Sequence, residues 1–265
     1  MSAIFFSCLA LGALVGFLAG LFGIGGGLII VPALVYLLPM ANIPPEYLMS
    51  MALGTSFSTI VVTAFSAAQR HHKLGNVDWS VSKFFIPALM ISVFVSGLVV
   101  TDLPKDLMSK IFAVIVIFLA GKMLFSSLKK NEKPVKVLTP QSTVIAGVLI
   151  GAISSMAGIA GGAFIVPYLN GRGLEMKRAI GTSSFCGALL GLAGTISFIF
   201  SGWGLPNLPE YALGYIYLPA LVGITLTSFF TSKLGASAAN VLPVPILKKA
   251  FAVLLVGIAI NMFLK

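Results

Sequence analysis

Residues 16–32 read GFLAGLFGIGGGLIIVP, and residues 151–167 read GAISSMAGIAGGAFIVP, at a constant offset of 135 residues. Each segment places a glycine cluster inside an apolar run and ends with Val-Pro. Many carriers build one binding site near the middle of the bilayer from two such interrupted helices, one in each half of the chain. The duplicated segment therefore predicts a membrane transporter.

The composition indicates an all-α integral membrane protein. Hydrophobic residues make up 58% of the chain and charged residues only 9%, against about a quarter charged in soluble domains. Apolar runs of about 20 residues, the length that crosses a bilayer, recur from one end to the other and leave no room for a soluble catalytic domain. The formal net charge of +10 comes from short loops, where membrane topology places it, so we predict no nucleic-acid partner.

The repeat extends beyond the glycine segments, because Ala52-Leu-Gly-Thr-Ser56 has a counterpart in Ala179-Ile-Gly-Thr-Ser183. The sequence predicts a first transmembrane repeat over 1–128, a linker over 129–140 and a second repeat over 141–265. Each repeat consists of a hairpin made from a glycine-broken helix, followed by three transmembrane helices, for 8–10 spans in total. The predicted segments are the hairpins 3–38 and 141–169, the spans 49–68, 81–101 and 106–128, and the spans 179–200, 213–233 and 245–264.

A hairpin followed by three crossings gives the two repeats opposite orientations in the membrane. With the linker in the cytoplasm, this arrangement places 14 Lys and Arg residues inside and 3 outside, whereas parallel repeats would give 9 and 8. Because cytoplasmic loops carry an excess of Lys and Arg, the sequence favours inverted repeats in the cell (inner) membrane, with both termini outside. The second hairpin allows about 17 residues for each arm, and it is either re-entrant or two short crossings.

These motifs resemble the sulfite exporter TauE/SafE family, which is also called the 4-toluene sulfonate uptake permease family. The resemblance covers essentially the whole chain, and its most specific elements are Gly23–Gly27 with Val31-Pro32 and Gly158–Gly162 with Val166-Pro167. The second copy departs from the first at Ala160, which takes the place of Gly25. The resemblance implies transport of small sulfur-containing anions such as sulfite, sulfonates or sulfoacetate.

The glycine breaks are the candidate substrate site. A helix that restarts after a break points its N-terminal N–H groups and positive dipole end into the gap, which suits an anion, and hydroxyl groups nearby could donate to it. The alternatives are close helix packing by the glycines, which we favour for Gly12, Gly16 and Gly20, and helix capping by the hydroxyls. The predicted site residues are Gly23, Gly25, Gly26, Gly27, Thr55, Ser56, Gly158, Gly161, Gly162, Thr182 and Ser183.

The other chemistry-bearing residues indicate no catalytic or metal site and no cofactor. The acidic residues fall in or beside predicted loops, which argues against proton coupling by a buried carboxylate, and His71-His72 is expected at a solvated loop edge. Cys8 and Cys186 are expected to be buried. A non-transporting accessory subunit, a transporter of an unrelated solute or metal, and a homo-oligomer stay open as alternatives.

Overall fold

The computed structural model describes residues 2–128, 139–206 and 208–239. Helices dominate these residues, and a two-stranded hairpin of Ala212–Leu213 and Ile216–Tyr217 precedes the last one. Leu38–Ala41 is a short 3-10 turn after the second helix. The helices are α1 (Ser2–Phe22), α2 (Gly27–Leu37), α3 (Leu48–Lys73), α4 (Trp79–Val100), α5 (Lys105–Leu128), α6 (Pro140–Ala157), α7 (Gly162–Asn170), α8 (Met176–Ser201) and α9 (Leu218–Ala238).

This architecture confirms the predicted all-α integral membrane protein. Five helices, namely α1, α3, α4, α6 and α8, are long and apolar enough to cross a bilayer. Large apolar side chains such as Phe6, Ile91 and Phe230 are about two-thirds exposed on the outer surface, as expected for side chains that face lipid rather than water. The predicted span 245–264 and most of the predicted linker 129–140 lie outside the described residues.

Three predicted bounds are wrong. The span expected at 49–68 runs on to Lys73 in α3. The span expected at 213–233 begins at Leu218 because residues 212–217 form the hairpin. The hairpin arms are unequal, with 21 residues in α1 against 11 in α2, and 18 in α6 against 9 in α7. At about 1.5 Å per residue, α2 and α7 are about 16 and 13 Å long, roughly half of the ~30 Å hydrocarbon core.

Polar residues fix several helix starts. The Asp78 carboxylate accepts from the N–H groups of Ser80 and Val81 at the start of α4. Thr139 and Ser142 form a reciprocal capping box at the start of α6, and Pro140 takes the first helical position, where its missing N–H costs nothing. These caps satisfy N–H groups that would otherwise lack partners at a helix start.

The two halves interleave rather than fold as separate units. α1 packs along α9, α6 packs along α4, and α3 packs against α8 in the centre. A Cβ atom added to Gly12, Gly16 or Gly20 would overlap α9. The three contacts follow one another at intervals of one helical turn along both helices. The packing interpretation of these three glycines is therefore confirmed.

The central pair, α3 and α8, runs antiparallel. A Cβ atom on Gly54 would lie 3.1 Å from Cβ of Phe198, whereas one on Gly191, seven residues before Phe198, would lie 2.9 Å from the Ile60 side chain. The aromatic rings of Phe57 and Phe198 close this interface, with their centroids 5.6 Å apart. α3 and α8 therefore form the buried axis on which the candidate site is built.

Candidate functional site

The first glycine loop breaks the helix between α1 and α2. Gly23, Gly25 and Gly26 have φ values of +67°, +70° and +84°, a left-handed region that side chains disfavour. Gly26 caps α2, and its carbonyl accepts from the N–H groups of Ile29 and Ile30. The earlier N–H groups of α2 have no acceptor within the helix, so the start of α2 presents N–H groups at the break.

The second loop repeats this geometry between α6 and α7. Gly158 and Gly161 have φ values of +59° and +69°, and the Gly161 carbonyl accepts from the N–H groups of Phe164 and Ile165 at 2.8 Å. Ala160 is absent from the positive-φ residues, unlike its counterpart Gly25. The two loops thus differ at the one position where the sequence copies differ.

The two loops lie directly against each other. A Cβ atom on Gly27 would overlap the Gly158 carbonyl oxygen, and one on Gly162 would overlap that of Gly23. Between these reciprocal contacts, a Cβ on Gly25 would overlap Cβ of Ala160. Every residue of both loops is buried, so the two predicted halves of the site meet in the interior with their backbones in contact.

The serines of the two Gly-Thr-Ser blocks tie each loop to the other half. The Ser56 hydroxyl on α3 donates to the Gly158 carbonyl at 2.8 Å, and the Ser183 hydroxyl on α8 donates to the Gly23 carbonyl at 3.0 Å. Both side chains are fully buried. In this arrangement neither hydroxyl caps its own helix, because each bonds to a loop more than 100 residues away in the sequence.

The threonines of the same blocks accept hydrogen bonds from the other half. The Thr55 hydroxyl accepts from the Tyr217 N–H at 3.0 Å, and the Thr182 hydroxyl accepts from the Asp78 N–H at 2.8 Å. Asp78 and Tyr217 are the residues that directly precede α4 and α9. These two N–H groups belong to the site region, and sequence reasoning missed them because backbone donors carry no sequence signature.

Thr55 and Thr182 therefore bond to backbone N–H groups outside the loops, whereas the other nine predicted site residues come together at the two glycine loops. The side chains in contact with them are apolar, including Leu53 and Val31 beside Gly158 and Leu190 beside Gly161. Such surroundings strengthen the fields of backbone dipoles. The arrangement can offer N–H and hydroxyl donors to an anion once the loops part, without any ionised side chain.

An ion pair lies beside Thr182, at Asp78. The Asp78 carboxylate contacts the Arg178 guanidinium at 2.9 Å and the Ser80 hydroxyl at 2.6 Å. Burial alone would raise the pKa of Asp78, but the hydrogen bonds from Ser80 and Val81 and the charge of Arg178 together hold it below its usual 3.8. This ionised contact joins the start of α4 to the start of α8.

The expectation for His71 is wrong. His72 is exposed, but His71 is only 1% exposed, and its Nε2 lies 3.2 Å from the Gly20 carbonyl at the end of α1. Among the described residues, no group of three His, Cys, Asp or Glu side chains is placed to hold a metal ion.

Comparisons with known proteins agree on a transport role. The family model described as Sulfite exporter TauE/SafE matches residues 8–262. The chain is 61% identical over 258 residues to a "Probable membrane transporter protein" of Haemophilus influenzae, covering 97% of each chain.

More distant relatives carry the same description. One is "Probable membrane transporter protein MJ0441" of Methanocaldococcus jannaschii, 28% identical over 84% of this chain and 82% of its own. Another is "Probable membrane transporter protein YunE" of Bacillus subtilis, 26% identical over 86% and 85%. No solved structure matches the chain. With the family model matching nearly its whole length, the chain belongs to the sulfite exporter TauE/SafE family of membrane transporters.

Proposed function

We propose that this transporter carries a small sulfur-containing anion, such as sulfite, a sulfonate or sulfoacetate, and binds it between the two glycine loops. The observation that carries the proposal is that the helix start after each glycine loop lies against the opposite loop in the interior, α2 at the Gly158 carbonyl and α7 at the Gly23 carbonyl. A helix N-terminus is the positive end of the helix dipole, so two of them beside one pair of loops favour an anion between the loops. The description of the matching family as a sulfite exporter supports the choice of anion.

The donors for the anion become available when the loops separate. In the closed contact, the Ser56 and Ser183 hydroxyls donate to the loop carbonyls, and the first N–H groups of α2 and α7 face the opposite loop. Parting of the loops exchanges the carbonyl acceptors of Ser56 and Ser183 for oxygens of the substrate, so that each hydroxyl keeps a partner in both states. Such an exchange keeps the energy gap between the two states small, as a transport cycle requires.

We propose that the halves are inverted-topology repeats. Supporting this, α3 and α8 carry equivalent Gly-Thr-Ser blocks and run antiparallel through the centre, so equivalent helices enter from opposite ends of the bundle. Inverted repeats commonly place a substrate site near the bilayer midplane and alternate access around it. With the positive-inside rule, this orientation places the 129–140 linker in the cytoplasm and both termini outside the inner membrane.

The test is flux in proteoliposomes that contain the purified full-length protein. Labelled sulfite, a sulfonate and sulfoacetate are offered separately, with empty liposomes as the control and a divalent cation as the competing substrate class. We expect protein-dependent flux of at least one sulfur anion. We also expect the unlabelled anion to raise the melting temperature, by an amount that corresponds to about 2.7 kcal/mol at 100 times its Kd.

The open alternatives are separate outcomes of the same experiment. Flux of the cation without flux of any sulfur anion would replace the proposed substrate class. Absence of all flux, in protein that remains folded, would favour the non-transporting accessory subunit.

A further inference from the structure

A basic cavity lies between the ends of α3 and α9, away from the glycine loops. It has a volume of 260 Å³ and is lined by Gln69, Arg70, Lys73, Lys233, Leu234 and Ser237. Arg70 is held in place because its Nε donates to the Ser237 hydroxyl at 2.9 Å. Lys233 is positioned by Phe229, whose ring centroid lies 4.0 Å from Nζ.

Among the residues that the structure describes, the lining of this cavity has three cations and no acid. The ion pair that the structure describes, Arg178 with Asp78, lies elsewhere at the starts of α8 and α4. Like charges that converge on one small space repel each other, and an anion would relieve that repulsion. Gln69 and Ser237 add uncharged groups that can donate hydrogen bonds to it.

The equivalent positions of the other half carry no cation. Aligning Thr55 with Thr182 and Asp78 with Tyr217 places Ser197 and Phe200 at the positions of Arg70 and Lys73, and Phe94 at that of Lys233. Phe94 and Phe200 contact each other there, with ring centroids 6.5 Å apart. The repeat fold therefore packs well without cations at this place. Topology explains why cations gather at one membrane side, but it does not require three of them to share a cavity.

The cavity opens beside an apolar surface. Leu234, which lines it, is 63% exposed, and Phe230 and Phe65, one helical turn away on α9 and α3, are 66% and 49% exposed. An acyl chain could follow these side chains while its headgroup occupies the cavity. Basic pockets between transmembrane helices are where anionic headgroups bind.

We propose that this cavity binds a phosphate group, presented by an anionic phospholipid whose acyl chain lies along Phe65 and Phe230. The same oxyanion chemistry would accept free phosphate, so the experiment has an arm for each source. This site is independent of the proposed substrate site, because its test measures ligand binding rather than anion flux.

The test uses the full-length protein in neutral-lipid nanodiscs or neutral detergent. Short-chain phosphatidylglycerol, short-chain phosphatidylcholine and inorganic phosphate are titrated separately, and binding is followed by the shift in melting temperature. The test variant is Lys73→Gln/Lys233→Gln, which leaves the Arg70–Ser237 bond intact. The matched control, Lys83→Gln/Lys177→Gln, removes two exposed lysines from the same end of the bundle.

We expect phosphatidylglycerol to stabilise the wild type more than phosphatidylcholine does. Loss of two cavity lysines should weaken phosphatidylglycerol binding about 25-fold, since each contributes about a fivefold factor, and the control should lose less than about threefold. Stabilisation by phosphate alone, lost in the same variant, would keep the site and change its source to free phosphate. Equal losses in the two double variants, or no response of the wild type to either ligand, would overturn the proposal.

Discussion

Gly27→Ala tests the contact between the two glycine loops with the smallest possible change. Gly27 is the first residue of α2, and it is not among the residues with positive φ, so an alanine fits its backbone. The obstacle lies entirely in the other half, where the new Cβ would overlap the Gly158 carbonyl oxygen. Gly162→Ala is the equivalent change, against the Gly23 carbonyl.

The expected loss of stability follows from this overlap. A methyl group forced into a packed contact costs about 1–3 kcal/mol. Alanine offsets up to about 1 kcal/mol of this, because its helix propensity is higher than that of glycine. A net loss of about 1–2 kcal/mol corresponds to a fall in melting temperature of about 2–8 °C for a chain of this size. Transport should also slow, because the closed arrangement of the loops becomes harder to reach.

The assay compares melting temperature and anion flux in Gly27→Ala and Gly121→Ala. Gly121 lies within α5, and a Cβ atom added there meets none of the described residues within 4 Å, so the control gains the helix preference without a known obstacle. Its melting temperature should stay the same or rise. If Gly27→Ala were as stable and as active as Gly121→Ala, the two loops would not be in contact and the reasoning would fail.

Three further predictions address the hydroxyl donors, the ion pair and the topology. Ser56→Ala and Ser183→Ala should each lower stability by about 1–3 kcal/mol, since a buried carbonyl loses its donor, and should raise KM for the anion about tenfold or more. The ionised Asp78 carboxylate stabilises the fold above about pH 4, and this contribution is lost as the pH falls through its lowered pKa. Asp78→Asn keeps the cap but does not titrate, so its deficit in melting temperature at pH 7 should disappear once the pH has fallen through the lowered pKa of Asp78. Cysteines at Leu74 and Trp203 should react with an impermeant maleimide from opposite sides of the membrane.

Each of these predictions has its own control. Ser80→Ala is the control that shows whether the loss of a hydroxyl group outside the loops also raises KM. If Ser56→Ala and Ser183→Ala change stability but not KM, these two serines have a structural role only. A deficit of Asp78→Asn that stays constant as the pH falls through that pKa would mean that the ion pair is not its source. Cys8 and Cys186 are fully buried and give little background labelling, and reaction of both introduced cysteines from one side would exclude the inverted arrangement.

The meeting of the loops could be predicted from the sequence because glycine has few reasons to cluster in an apolar helix. The duplicated clusters indicated two breaks, and duplication implied that the breaks face each other. The packing role of Gly12, Gly16 and Gly20 was equally accessible, since their spacing of four places them on one helix face. In both cases the spacing of the glycines along the sequence was sufficient for the prediction.

The hydrogen-bond partners could not be predicted, because they come from the other half of the chain. The sequence around a serine in an apolar helix is the same whether its hydroxyl caps its own turn, binds a ligand or donates to a distant carbonyl. The partner of Ser56 is the carbonyl of Gly158, and backbone carbonyls exist at every residue. The burial of His71 could not be predicted for the same reason, since its Nε2 contacts the carbonyl of Gly20 on a different helix.

Packing and binding are not competing explanations for the loop glycines. A side chain at Gly26 would strain a backbone with φ of +84° and overlap Val15, so a substitution such as Gly26→Leu damages the fold whether or not an anion binds there. The serines separate the two roles, because removing a hydroxyl leaves the backbone path unchanged. A carrier that holds its substrate with the donors of Ser56 and Ser183 must show their loss in KM as well as in stability, whereas a contact that only packs the helices would show it in stability alone.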